Sequence, residues 1–137
     1  MKKNLYLIFS TVFIVLTVAF TSCKHTTLAD RAAKDAQDFT ERYCPTPVQN
    51  MQRLDSITFD RATLTLCYHY QLSGSADNLD AIKLVRGKIK KALLEDLKND
   101  TRVKTYKDAG YNFRYIFYSE KSRSVLMEEK FSKNNYK

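Results

Sequence analysis

The sequence predicts an α+β domain with the order helix, strand, strand, helix, strand, strand. Three observations carry this. Two segments, Leu28–Tyr43 and Leu79–Lys98, repeat apolar residues at helical spacing. Between and after them lie runs in which apolar and polar side chains alternate, the signature of half-buried strands. Turn-forming residues separate the runs. The simplest packing places both helices on one face of an antiparallel sheet.

The elements follow in order. In Leu28–Tyr43, the residues Ala32, Ala36, Phe39 and Tyr43 recur at spacings of four, three and four, which gathers them on one helical face. Pro45 and Pro47 end this helix, and Cys44, preceding a proline, is expected to be extended. Gln49–Phe59 reads as a strand. Ile57 and Phe59 alternate while Met51 and Leu54 fall out of phase, which suggests a bulge near Asp55-Ser56. Asp60-Arg61 makes a tight link to Ala62–Leu72. There Leu64, Leu66, Tyr68, Tyr70 and Leu72 share one face, with Thr63, Thr65, Cys67, His69 and Gln71 on the other.

Asp77 or Asn78 can cap the second helix, because a short side-chain oxygen satisfies its orphan amides. Ile82, Val85, Ile89, Ala92, Leu93 and Leu97 form its apolar stripe. Arg102–Tyr106 reads as a short strand and Asp108-Ala109-Gly110 as a turn. Tyr111–Tyr118 is strand-like, with Tyr111, Phe113, Tyr115 and Phe117 in phase. Val125–Phe131 is the last strand, and 132–137 a frayed tail.

The N-terminus has a different character. Lys2 and Lys3 precede an uncharged, apolar run from Leu5 to Phe20, then the small residues Thr21 and Ser22, then Cys23. A run of sixteen residues falls short of the about 20 that a bilayer span needs. A positive start, an apolar middle and small residues at the end are the parts of a secretory signal. With the cysteine directly after them, residues 1–23 resemble bacterial lipoprotein precursors. Phe20 departs from the leucine usual in that motif. The resemblance implies removal of 1–22 and a lipid on Cys23. Each buried methylene adds about 0.8 kcal/mol, and two or more chains anchor stably. By analogy with lipoprotein sorting, Lys24 in place of an aspartate favours the outer membrane where the host has one. The mature chain then divides into a short tether, 23–27, and a single domain, 28–131.

Charge and cysteines set further expectations. Of the 23 basic residues, Lys2 and Lys3 leave with the signal, so 21 face 15 acidic ones, a net charge of +6. No block of five or more like charges occurs, so the excess reads as a solvated surface. The lysines off the stripe of the second helix, Lys83, Lys88, Lys90, Lys91 and Lys98, are candidates for contact with an anionic surface. Envelope lipid or polymer fits an exported chain better than nucleic acid. Cys44 and Cys67 can form one disulfide in an oxidising compartment. The loop of about 24 residues that it closes corresponds to roughly 3 kcal/mol. Two free thiols packed as small apolar groups are the alternative.

Catalytic chemistry has one candidate. Cys67 and His69 project from the same strand face and could supply a nucleophile and a base. Residues i and i+2 on a strand, however, stand about 6.5–7 Å apart. Metal binding needs three or four ligands, and the other histidine, His25, lies in the tether, so no metal and no cofactor is expected. The three glycines, Gly74, Gly87 and Gly110, form no phosphate loop. The order of elements resembles small exported modules with repeated αββ units, such as β-lactamase-inhibitor-like domains; this likeness carries no site residues. The expected function is a membrane-anchored, non-enzymatic binding or interaction module of the cell envelope, held by acylated Cys23 and meeting another envelope protein. The alternative is a small envelope enzyme using Cys67 and His69 or a carboxylate site.

Overall fold

The computed structural model describes residues 26–137, so the signal segment, Cys23 and His25 lie outside the described residues. Helix α1 (Leu28–Tyr43) opens with a capping box. Thr27 Oγ1 accepts from the Asp30 amide at 3.1 Å, and Asp30 Oδ2 accepts from the Thr27 amide at 2.9 Å. Ala32 and Ala36 are the residues it buries, and these small side chains let the helix approach the sheet. Thr40 ties it down: its hydroxyl donates to the Ile57 carbonyl at 2.9 Å and accepts from the Ile57 amide at 2.8 Å. Cys44 is extended before Pro45, as expected of a residue preceding proline.

Strands β1 (Gln52–Asp60) and β2 (Thr65–Leu72) pair antiparallel, with the expected bulge between Leu54 and Ser56. The connection is longer than the tight Asp60-Arg61 link expected. Residues 61–64 form it, and the Asp60 carboxylate accepts from the Ala62 amide and the Thr63 hydroxyl at 2.9 and 2.7 Å. Leu64, assigned to the buried strand face, instead sits in this turn at φ 49° and is exposed.

Asn78 caps helix α2 (Leu79–Asn99), its side-chain oxygen accepting from the Asp80 and Ala81 amides. This helix carries the chain back to the end of the sheet where β2 began. Strand β3 (Asn112–Ser119) therefore runs parallel to β2, as a helical crossover dictates. Strand β4 (Val125–Phe131) returns antiparallel to β3. The α+β order holds, with the refinement that the sheet β1-β2-β3-β4 is mixed, antiparallel at its two outer pairs and parallel in the middle.

Two local expectations are corrected. Arg102–Tyr106 is no strand: helix α3 (Lys104–Asp108) occupies this stretch. One helical turn directs Tyr106 into the core and lets its carbonyl accept from the Tyr111 amide at 3.0 Å. Nor does the tail fray. Ser132 caps helix α4 (Lys133–Tyr136), and Tyr136 is buried, its ring edge-on to Phe113 at 5.6 Å.

The core lies between the sheet and the helices. Ala32, Ala36, Ile82 and Leu97 from the two long helices join Leu66, Phe113, Phe117 and Phe131 from the strands in one cluster, so both helices cover the same face. They cover it unevenly. Among the 21 residues of α2, Ile82 and Leu97 are the buried ones; Val85 and Ala92, expected on its stripe, are exposed. Arg86 and Lys90 instead hold α2 over β4, reaching the buried Glu129 carboxylate at 2.8 and 3.3 Å.

Candidate binding groove

The space between α1 and α2 has a floor of aromatic rings. The parallel register places Tyr68 beside Tyr115 and Tyr70 beside Phe117. In-register neighbours on one face stand close enough for their side chains to interact. The Tyr68 and Tyr115 rings stack at 5.0 Å and 11°, and those of Tyr70 and Phe117 at 5.1 Å and 16°. One cross-strand row runs Ile57, Tyr68, Tyr115, Glu129. Burial pushes the phenols of Tyr68, Tyr70 and Tyr115 well above their ordinary range, so all three remain O–H donors. Among the described residues none of these hydroxyls has a hydrogen-bond partner.

Two cavities sit on this floor. The larger, about 550 Å³, lies against α2, with Leu93, Asp96 and Leu97 on its wall. The second, about 380 Å³, lies against α1, with Asp35, Phe39 and Leu54 around it. Tyr68, Tyr70, Asp100 and Arg102 line both, which makes one groove of them. Arg102 grips Asp100 through Nε at 3.0 Å and Nη2 at 2.8 Å. This guanidinium holds the Asp100 carboxyl below its ordinary value. Tyr106 donates to Asp35 Oδ2 at 2.6 Å, joining α3 to α1 across the α1 side. A third space of about 310 Å³ under the first half of α2 is apolar, bounded by Leu72, Ile82, Phe117 and Met127 among others. An apolar slot with a few fixed polar groups is the usual build of a binding site.

The residues singled out in the sequence fall elsewhere. Cys67 projects from the face of β2 opposite the helices, while Cys44 caps α1 in the helix layer. Both are free thiols, the alternative that the sequence left open beside a disulfide. Burial raises the thiol pKa of each. His69 shares the face of Cys67 but does not engage it. Its Nε2 is 3.0 Å from the Thr58 hydroxyl and its Nδ1 is 3.4 Å from that of Tyr118. Burial and the nearby Arg114 lower its pKa. A protonated thiol beside a neutral imidazole already bonded to two hydroxyls is not an activated pair. Among the described residues no three His, Cys, Asp or Glu side chains are grouped to hold a metal. Of the five lysines on α2, Lys90 is committed to Glu129 and Lys83 lies 3.4 Å from Asp80. Lys88, Lys91 and Lys98 have no ion-pair partner among the described residues.

Comparison with known proteins now places the chain. It belongs to the family of domains of unknown function DUF8479, whose model matches residues 27–127. No curated protein sequence matches it. Two solved structures are similar in fold. A protein of Pseudomonas aeruginosa taken to be secreted has a TM-score of 0.65 at 14% identity, over 81% of this chain and 98% of that one. The pilotin EpsS of the Vibrio vulnificus type 2 secretion system has a TM-score of 0.59 at 12% identity, over 78% and 89%. At such identities the fold alone is shared. No helix among the described residues of this DUF8479 chain is long and apolar enough to cross a membrane.

The sequence placed Tyr68, Tyr70 and Tyr115 on the inner face but gave no sign that the face stays open. The rim residues Asp35, Asp96, Asp100 and Arg102 were missed. A usable signal was the polar character of the last turn of α2, where Asp96 and Asn99 flank Leu97.

Proposed function

We propose that this protein is a non-enzymatic binding module of the cell envelope. Acylated Cys23 anchors it, and the tyrosine-floored groove takes a segment of another envelope protein. One observation carries the reading: three protonated phenols without a hydrogen-bond partner among the described residues lie on the aromatic floor of a groove, lined by both polar and apolar side chains, between two helices. Such a groove suits a peptide segment that offers apolar side chains to the rings and carbonyl or carboxylate oxygens to the hydroxyls. The apolar run from Leu5 to Phe20, followed by Thr21, Ser22 and Cys23, supports a lipid anchor. Fold likeness to a secretion-system pilotin and to a protein taken to be secreted supports an envelope partner over a soluble metabolite. Lys24 after the acylated cysteine favours the outer membrane in a two-membrane host. The alternative of a thiol enzyme has no geometric support, because His69 is bonded to Thr58 and Tyr118.

A photo-crosslinking residue at Leu93, on the groove wall, tests this in cells, with Lys121 as a control in the β3–β4 turn. The expected result is an adduct to one envelope protein from Leu93 alone, lost when Tyr70→Asp is added to a chain that still folds. Equal adducts from both positions, or persistence with Tyr70→Asp, would sink the reading. The intact mass of the membrane-extracted protein tests the anchor separately: it should fit residues 23–137 plus acyl chains.

A further inference from the structure

Lys107 is 9% exposed, and no carboxylate holds it. Its Nζ donates instead to the carbonyls of Leu97 and Lys98 at 2.7 and 2.8 Å, satisfying the C-terminus of α2. An ammonium has three donors, so one remains. Lys107 borders a cavity of about 310 Å³ also lined by Lys98, Lys104, Lys137 and Tyr136. Two side-chain carboxylates line this space, Asp100 and Asp108, and both are engaged. Asp100 is held by Arg102, and Asp108 pairs with Lys104. Lys98, Lys107 and Lys137 therefore bring three positive charges without an ion-pair partner among the described residues. Asp100 and Asp108 feel the Lys107 charge without touching it, so a largely buried ammonium with no carboxylate in direct contact gains from an anion beside it.

The place of this cavity in the fold names the anion. Asp30, in the first turn of α1, pairs with Arg61 in the β1–β2 turn at 2.8 Å. That turn meets the start of β3, where the Asn112 amide donates to the Leu64 carbonyl at 2.9 Å. Tyr136, on the cavity wall, donates to the Tyr111 carbonyl at 2.7 Å. The lysine-lined cavity and the N-terminus of α1 thus lie at the same end of the domain. From Thr27 back to Cys23 is four residues, about 14 Å at full extension. A lipid on Cys23 would bring this end to the membrane surface.

We propose that the cavity formed by Lys98, Lys107, Lys137 and their neighbours is a phosphate-recognition site for the headgroup of an anionic phospholipid in the membrane that holds the anchor. The proposal rests on the anchored reading above. A second contact beside the acyl chains fixes the orientation that a short tether alone leaves free.

The test uses the mature acylated protein, purified in detergent and placed in nanodiscs of phosphatidylcholine, with or without phosphatidylglycerol. Lysine acetylation rates are read residue by residue by mass spectrometry. Phosphatidylglycerol should slow Lys98, Lys104 and Lys137 several-fold and leave Lys88 and Lys91 unchanged. In the double variant Lys98→Gln, Lys137→Gln the protection of Lys104 should vanish. Rates that do not respond to phosphatidylglycerol overturn the proposal. So does protection by inorganic phosphate in phosphatidylcholine discs without protection by phosphatidylglycerol, which would mark a site for free anions. The intact mass of the same sample separates the two readings. Without acyl chains the anchor fails, and protection of protein added to preformed anionic discs then judges the site alone.

Discussion

The Tyr136 hydroxyl donates to the carbonyl oxygen of Tyr111 at 2.7 Å, pinning the end of the described chain to the residue that leads into β3. The ring is buried against Phe113. Losing the hydroxyl leaves a buried carbonyl short of its best donor, a cost of about 1–2 kcal/mol. Losing the ring as well opens a cavity, for a total of about 3–5 kcal/mol. Tyr136→Phe and Tyr136→Ala should fall in that order in urea denaturation. A wild-type midpoint for Tyr136→Ala would mean that the last turn contributes nothing.

This contact also shows where local sequence stops being informative. The segment 132–137 has no apolar repeat, and its single aromatic gains a partner through a fold that brings Tyr111 and Phe113 to it. The same holds for α3. Arg102–Tyr106 reads as a short strand, but its apolar residues Val103 and Tyr106 stand three apart, the spacing of a helical turn, and the burial of Tyr106 goes with that turn. The long elements were legible because each carries its own period: Ala32 and Ala36 for α1, Ile82 and Leu97 for α2, Phe113 and Phe117 for β3. Whether two neighbouring strands run parallel is not written in either one. It follows from the path of α2. The groove was hidden for a related reason. A stripe such as Ile82, Val85, Ile89 announces an inward face, but Arg86 and Lys90 hold α2 toward β4 and leave the tyrosines between the helices uncovered.

The groove tyrosines predict loss of stability in alkali. Tyr68, Tyr70 and Tyr115 all have folded pKa values raised above the ordinary 10.0, burial being the first cause. The folded state therefore holds these protons more tightly than the unfolded chain. Their contribution is fully present below about pH 10 and is lost as pH rises from there toward the folded values. Far-ultraviolet circular dichroism followed with phenolate absorbance should show these tyrosines ionising only as the chain unfolds. Ionisation at the ordinary pKa with the fold intact would mean that their hydroxyls are solvated.

Leu64 is held at φ 49° in the β1–β2 turn, with its side chain exposed. A left-handed conformation costs a residue with a Cβ about 1 kcal/mol relative to glycine, and an exposed leucine returns little packing. Glycine is also freer in the unfolded chain, which offsets part of the gain. Leu64→Gly should leave stability unchanged or raise it by up to about 1 kcal/mol, whereas Leu64→Val, β-branched at the same φ, should lower it. Thermal melts of the two variants decide the matter; the opposite order would mean that the Leu64 side chain stabilises the turn through contacts.

Glu129 makes an asymmetric prediction. Its carboxylate is buried at 6% exposure, while its partners Arg86 and Lys90 are more than half exposed. Removing the acid frees two cations that water can solvate, and an apolar replacement can pack over Tyr115, its neighbour across the strand pair. Replacing a buried ionic group by an apolar one of similar volume is often nearly neutral. Removing the bases is different, because it strands a buried charge, at a cost of about 3–5 kcal/mol. Glu129→Met should therefore lie within about 1 kcal/mol of wild type, and Arg86→Met with Lys90→Met should be far less stable. Equal losses from the two changes would mean that Glu129 is solvated and that its ion pairs do not hold α2 to β4.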